Sequence, residues 1–184
     1  MPSRQGGFME KHAKSRAVFK VVLLVLIVFI VFIIQNTSGM PNHIGRGRFF
    51  FLIPLVICIG ITQSVALSTW LGLFAGVLWD CVSAELPGFH SIALLCFGCA
   101  SALIIENLFR SNIVTALVMC SVGTAFYCFI YWFFFHWLAD ASGAASAFVS
   151  VYLPSIFLTA ITAPLFYYIV SFVSKRFKGR FYKR

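Results

Sequence analysis

The stretch FFFLIPLVICIGITQSVALSTWLGLFAGVLWDCV, residues 49–82, decides the fold of this chain. It is apolar over 34 residues, apart from its last turn and two short polar clusters. A single helix of that length would extend about 50 Å, whereas the hydrocarbon core of a bilayer is about 30 Å thick. The chain must therefore turn back, and the polar clusters Gln63-Ser64 and Ser68-Thr69 are the only places for a turn. We predict one helix on each side, forming either two short spans or a re-entrant pair.

The composition of the whole chain indicates an integral membrane protein. Of the 184 residues, 61% are hydrophobic and 10% are charged, and the mean hydropathy is +0.96. Soluble domains have roughly 25% charged residues, which they need to cover an apolar core. We therefore predict one all-α membrane domain, a bundle of six transmembrane helices over residues 18–174, with basic tails at 1–17 and 175–184. The predicted helices cover residues 18–34, 49–64, 67–82, 90–105, 113–138 and 147–173.

The basic residues lie mainly at the two ends of the chain. Five of the 14 Lys and Arg fall within the first 20 residues and six within the last ten, which leaves Arg46, Arg48 and Arg110 between them. Basic segments beside apolar runs are typical of cytoplasmic anchors at anionic headgroups, so the excess charge does not indicate nucleic-acid binding. An even number of spans puts both tails on one side of the membrane. By the positive-inside rule, we predict that both termini are cytoplasmic.

The chain offers few groups for catalysis. Its acidic residues are Glu10, Asp80, Glu85, Glu106 and Asp140, and its histidines are His12, His43, His90 and His136. No pair of them has a metal-ligand or protease spacing. Cys96 and Cys99 have the spacing of a metal or redox pair, but they lie in the middle of a span with no second pair nearby, which favours a packing role. We therefore predict no enzymatic activity, no catalytic residue, no metal and no cofactor.

The most informative motif lies between residues 72 and 88. Gly72 and Gly76 are four residues apart, so they share one helix face on which another helix can approach closely. Asp80 continues that face, and a carboxylate at this depth needs water, a backbone donor or a partner group. Pro87 and Gly88 then favour a turn. Glu85 falls in the same loop. The motif indicates either close packing within the bundle or a face for a partner or ligand.

A dense aromatic segment, residues 126–137, ends the fifth predicted span. Tyr and Trp at the end of a span are typical of the membrane interface. Nine aromatic residues in twelve helical positions cover every face of the helix, so some of them must contact protein. We interpret the segment as an interfacial belt together with part of the core, and a hydrophobic groove for a partner helix is the alternative.

The chain has about 180 residues, basic tails, and the motif Gly72, Gly76 and Asp80 followed by Ser83 and Gly88. In these features it resembles the bacterial rod shape-determining protein MreD family. The resemblance is strongest over residues 69–105. It implies a small multi-pass inner-membrane protein that binds the bitopic protein MreC. It also implies membership of the cell-elongation complex, or elongasome, with the actin-like MreB, a SEDS glycosyltransferase and a penicillin-binding transpeptidase. Such a protein is a scaffold that couples filaments in the cytoplasm to peptidoglycan synthesis outside.

The bundle of that family is similar to the substrate-binding components of energy-coupling-factor vitamin transporters, which provides an alternative function. Those components typically dock through an Ala-x-x-x-Ala pair in the first helix, but residues 19–34 contain neither Ala nor Gly. A vitamin pocket would also need polar groups that converge near the outer helix ends. The candidates for these groups are Asp80, Glu85, His90, His136 and Asp140. We interpret the residues Gly72, Gly76, Asp80, Glu85, Pro87 and Gly88 as a helix-packing or partner-binding site.

Overall fold

The computed structural model of the chain describes residues 4–37, 43–44, 47–83, 87–108, 111–137 and 148–176. Two-residue strands, β1 and β2, pair antiparallel between the first two helices, and the rest of the regular structure is helical. The helices are α1 Arg4–Asn36, α2 Leu52–Thr62, α3 Val65–Asp80, α4 Phe89–Asn107, α5 Ile113–Trp132 and α6 Leu153–Arg176, and the strands are β1 His43–Ile44 and β2 Gly47–Arg48. A π-helical turn, Phe133–Trp137, extends α5, and another, Phe148–Tyr152, precedes α6.

The described residues contain six α-helices, as predicted, but not all six are long enough to be the predicted spans. Four helical segments within the described residues are long and apolar enough to cross a membrane, namely Ser15–Asn36, Phe89–Asn107, Ile113–Phe135 and Phe148–Arg176. The other two helices have only 11 and 16 residues, or about 16 and 24 Å at 1.5 Å per residue. The first helix begins at Arg4, so it continues into the segment that the sequence predicts as a basic tail.

The chain turns back at the first of the two polar clusters. The backbone of Gln63 and Ser64 is extended, which separates α2 from α3. The second cluster lies inside α3, where the hydroxyl groups of Ser68 and Thr69 both donate to the carbonyl of Val65. Ser and Thr can satisfy their hydroxyl groups on the preceding helical turn in this way, so a polar pair need not end a helix.

The short helix α2 is the core of the bundle. All residues from Leu52 to Ile61 are buried, and α2 contacts every other helix. A helix that is apolar on all faces must lie inside the protein or in lipid, and a run of 10–14 apolar residues is more typical of a buried helix than of a span. Because α2 is surrounded by protein, its apolar faces contact the other five helices rather than lipid.

The long helix α1 lies at the periphery and contacts the bundle along a narrow stripe. The buried members of this stripe are Leu24, Val28, Val31 and Gln35, which recur every three or four residues. At the end of the stripe, Gln35 Oε1 accepts a 2.9 Å hydrogen bond from the backbone amide of Leu52. The remaining faces carry large exposed side chains such as Phe19 and Leu26, as expected for a helix mostly surrounded by lipid.

Successive helices run in opposite directions. Gln35 near the end of α1 meets the start of α2, while Ser174 near the end of α6 donates to the carbonyl of Thr62 at the end of α2. The last turn of α6 therefore lies at the opposite end of the bundle from the last turn of α1. The beginning of α1 and the end of α6 consequently share one end, as an even number of helices requires.

Candidate functional site

The predicted glycines lie at a close contact between α3 and α4. A Cβ atom on Gly72 would come closer than 3.0 Å to the carbonyl oxygen of Leu94 in α4. A Cβ atom on Gly76 would lie 2.6 Å from the carbonyl oxygen of His90 and 2.8 Å from the amide nitrogen of Ser91. Real Cβ atoms do not approach backbone so closely, so only glycine allows α3 and α4 to pack at this distance.

The same contact continues one turn further along α3. Ser68 is fully buried, and its carbonyl oxygen would lie 2.5 Å from a Cβ atom on Gly98 of α4. Small residues therefore recur every fourth position on this face of α3, at Ser68, Gly72 and Gly76. We call this face, together with Ser91 and Gly98 of α4, the α3–α4 seam.

Asp80 ends the seam by capping α4. Its Oδ1 accepts a 3.1 Å hydrogen bond from the backbone amide of His90, and its Oδ2 accepts a 3.0 Å hydrogen bond from that of Ser91. The Ser91 hydroxyl also donates to Oδ2. The first amides of a helix lack intrahelical partners, and the N-cap residue Gly88 has no side chain to supply one. Asp80 therefore performs from α3 the role that a Ser or Asp N-cap performs within a helix.

The loop between α3 and α4 contains the remaining predicted residues. Gly88 has φ +93°, in the left-handed region that favours glycine, and no atom lies within 4 Å of the position of an added Cβ. The backbone conformation, rather than space, requires glycine there. Pro87 is exposed one residue earlier. Glu85 lies outside the described residues, as does Asp140.

A cluster of aromatic rings lies beside the Asp80 cap. The His90 ring stacks on Trp79 of α3 with centroids 4.5 Å apart, and Tyr131 of α5 is nearly parallel to His90 at 6.4 Å. The hydroxyl of Tyr127 is 3.1 Å from His90 Nδ1, and both side chains are buried. We call Trp79, His90, Tyr127 and Tyr131 the aromatic cluster, which joins α3, α4 and α5.

A cavity of about 380 Å³ opens beside the aromatic cluster. Residues from α1, α3, α4, α5 and the π-helical turn before α6 line it, together with Phe50 and Ser83. Asn36 lies at the α1 wall and Tyr152 at the α6 wall. The cavity is therefore at the end of the bundle opposite the beginning of α1 and the end of α6.

Two thiols in the core are also close together. Cys58 of α2 and Cys120 of α5 are fully buried, their sulfur atoms are 3.9 Å apart, and both are free thiols. Cys96 is exposed and Cys99 is half-buried, and both are reduced as well. Within the part of the chain that the structure describes, no group of three or more His, Cys, Asp or Glu side chains could hold a metal ion.

Sequence reasoning identified Gly72 and Gly76 of the seam, and Asp80 at its end, but missed Ser68, Ser91 and Gly98. Ser68 follows the same four-residue spacing as Gly72 and Gly76, and that spacing could have placed it on the seam rather than in a turn. Ser91 and Tyr127 carried no comparable signal. Their partners, Asp80 and His90, are 11 and 37 residues away in sequence, and only the folded chain brings them together.

These features define a multi-pass α-helical membrane protein whose short, buried second helix is enclosed by the others. The comparison with protein families then gives the particular family: residues 15–176 match the family described as rod shape-determining protein MreD, so the chain belongs to the MreD family. The resemblance predicted from the 72–88 motif is confirmed, and the family implies a role in rod shape determination. Comparison with curated proteins gave no match. Comparison with solved structures gave none either, so the similarity to energy-coupling-factor components remains a prediction.

Proposed function

We propose that this chain is a non-catalytic scaffold of the cell-elongation complex in the bacterial inner membrane. In this proposal it binds an MreC-like bitopic protein and couples MreB-like filaments to peptidoglycan synthesis by a SEDS glycosyltransferase and a penicillin-binding transpeptidase. The observation that carries the proposal is membership of the MreD family over residues 15–176, nearly the whole chain. Both termini are cytoplasmic in this arrangement, where their basic residues meet the anionic leaflet.

The packing of the bundle supports a scaffold role. A scaffold must present its binding surfaces in a constant geometry, which requires helices that do not slide past each other. The seam holds α3 and α4 in one register, because Gly72 and Gly76 accept the α4 backbone only at fixed positions. The buried helix α2 contacts all five others and so ties them together.

The loop after Asp80 is the partner-binding surface in this proposal. Cys81 and Pro87 are exposed, and Val82 is 57% exposed, so apolar groups are available to a partner. The two glycines of the seam are already in contact with α4 and are not part of this surface. The Asp80 cap fixes the end of the loop that joins α4. Glu85 and Gly88 belong to the same loop by their positions in the sequence.

The experiment is affinity purification of the tagged full-length protein from its native membrane in mild detergent, with mass spectrometry of the bound proteins. We expect an MreC-like bitopic protein together with wall synthases. Cys81→Glu places a charge in the proposed partner-binding loop and should reduce recovery of the bitopic protein at least about tenfold. Leu108→Glu is the matched control, because Leu108 is 70% exposed at the opposite end of α4.

Two results would contradict the proposal. Equal recovery of the bitopic protein with the wild type and with Cys81→Glu would exclude the loop as the partner-binding surface. Recovery of ATPase subunits and a transmembrane coupling protein, with no bitopic protein, would instead support the transporter component as the function.

A further inference from the structure

We propose that the cavity beside the aromatic cluster binds a small, neutral, flat ring compound that carries a hydrogen-bonding group. This inference goes beyond the scaffold role and does not depend on it. At about 380 Å³ the cavity lies at the lower end of the range of about 300–1,000 Å³ that is typical of small-molecule sites. That volume suits a compound of one or two fused rings.

The walls of the cavity favour a flat ring. The rings of Phe50, Trp79, Tyr127, Tyr131 and Tyr152 all line it. Aromatic rings bind another ring through offset stacking and edge contacts, which adds to the gain from burying apolar area. The five rings come from four separate parts of the chain, so the site is assembled only in the folded bundle.

Ser83 provides the reason for a hydrogen-bonding group. Its Oγ is buried and has no hydrogen-bond partner within the described residues, and Ser83 lines the cavity. A buried hydroxyl without a partner costs free energy, which a ligand with a donor or acceptor at this point recovers. A purely hydrocarbon occupant such as an acyl chain would leave the hydroxyl unpaired. Asn36 lies on the wall as a second polar group.

The described part of the wall carries no charged side chain, which favours a neutral ligand. Among the described residues that line the cavity, none is Lys, Arg, Asp or Glu. His90 lies on the wall, and its Nδ1 is paired with the Tyr127 hydroxyl. The nearby Asp80 carboxylate accepts hydrogen bonds from the start of α4. An anionic headgroup or an ammonium ion would therefore be desolvated without an opposite charge, which is costly.

The test uses 2-quinolinone, a neutral two-ring amide, and the full-length protein in lipid nanodiscs. Equilibrium dialysis measures the bound compound, with protein-free nanodiscs subtracted. We expect saturable binding at one site per chain with a Kd below about 1 mM, as ligand efficiencies allow for a compound of this size. The anionic analogue quinoline-2-carboxylate should bind at least about tenfold more weakly, because the described lining residues include no cation.

Three variants locate the site. Val151→Trp fills the cavity and should weaken binding at least about tenfold, since Val151 lines it. Val149→Trp is the matched control in the same π-helical turn, where Val149 is 65% exposed, and it should bind as the wild type does. Ser83→Ala is small enough to keep the fold and should weaken binding about three- to tenfold through the lost hydrogen bond.

The proposal is overturned if the bound amount rises linearly with concentration, as it does for partition into lipid. It is also overturned if Ser83→Ala and Val151→Trp both bind like the wild type, or if the carboxylate binds as tightly as the amide. Because the bitopic partner is not present in this experiment, a negative result here leaves the scaffold proposal unaffected.

Discussion

The carboxylate of Asp80 accepts a 3.0 Å hydrogen bond from the backbone amide of Ser91, so the residue that ends α3 also caps α4. The same amide nitrogen lies at the point where a Cβ atom on Gly76 would approach to 2.8 Å. Gly76 and Asp80 are one helical turn apart, and both lie against the backbone at the start of α4. The glycine allows the close approach that the carboxylate then uses, which explains why both belong to one motif.

The Asp80 cap should stabilise the bundle. We expect Asp80→Ala to lower the free energy of unfolding by about 1–3 kcal/mol, because the start of α4 loses its acceptors for two backbone amides. Asp80→Asn should cost less, since its amide oxygen still accepts one bond. Thermal unfolding of the purified protein measures the change. Asn107→Ala is the control, as its amide bonds only to Leu103 on an exposed surface, and it should change stability by less than about 0.5 kcal/mol. Equal effects of Asp80→Ala and Asn107→Ala would contradict the capping role.

The seam should not tolerate even one methyl group. We expect Gly76→Ala to cost about 1–3 kcal/mol, because the new Cβ would collide with the backbone of His90 and Ser91. Gly123→Ala is the matched control in α5. There the added Cβ would meet only the Ile57 side chain, whose terminal Cδ1 can rotate away, and alanine favours the helix. Chemical or thermal unfolding compares the two. A Gly76→Ala protein as stable as the Gly123→Ala protein would show that the helices can move apart freely.

Substitutions of Gly88 should destabilise the protein for a different reason from substitutions of the seam glycines. The space around it is open, so the cost of a side chain arises from its positive φ alone. We expect Gly88→Ala to destabilise the protein by about 1–2 kcal/mol, and Gly88→Asn to do so by less, because Asn adopts left-handed conformations more readily. The same unfolding measurement applies. If Asn is the worse substitution, size rather than backbone conformation limits this position.

The buried hydrogen bond between Tyr127 and His90 should stabilise the protein more than the exposed hydrogen bond of Tyr167 does. We expect Tyr127→Phe to cost about 1–2 kcal/mol through the lost 3.1 Å contact with Nδ1. Tyr167→Phe is the control, because it removes an identical hydroxyl group that donates to the Ser111 carbonyl at 3.3 Å on an exposed surface. We expect this variant to change the free energy of unfolding by less than about 0.5 kcal/mol. The two variants are compared by thermal unfolding in the same detergent. A ranking in the reverse order would contradict the importance of the aromatic cluster.

The basic ends predict the orientation in the membrane. Each Lys or Arg near the anionic leaflet contributes about 1 kcal/mol, and the eleven residues at the two ends act together. We expect reporter fusions at both termini to be active only as cytoplasmic reporters. A fusion at Ser83, beside the cavity, should score as external. An external result at either terminus would invert or break the predicted arrangement of six helices.

Much of the helical pattern could be read from the sequence. A turn within residues 49–82 follows from length, because 34 apolar residues exceed the thickness of a bilayer, and the polar pair Gln63-Ser64 is one of the two predicted places for it. The four-residue spacing of Gly72, Gly76 and Asp80 marks one helix face by geometry, and together with Gly88 it carried the resemblance to the MreD family. These inferences rest on the local spacing of residues and on the apolar or polar character of each segment. Both properties can be read from the segment's own residues.

The tertiary structure decided which apolar surface contacts protein. The membrane-spanning part of α1 and the whole of α2 are apolar on every face, yet α1 is peripheral and α2 is buried. Hydropathy cannot distinguish them, because lipid tails and a protein interior are similarly apolar. The partners of Asp80 and His90, and the cavity among five aromatic rings, likewise depend on residues brought together from distant parts of the chain. The sequence by itself thus determined the number of helices and that the chain turns back within residues 49–82, while packing alone decided the core, the cap and the cavity.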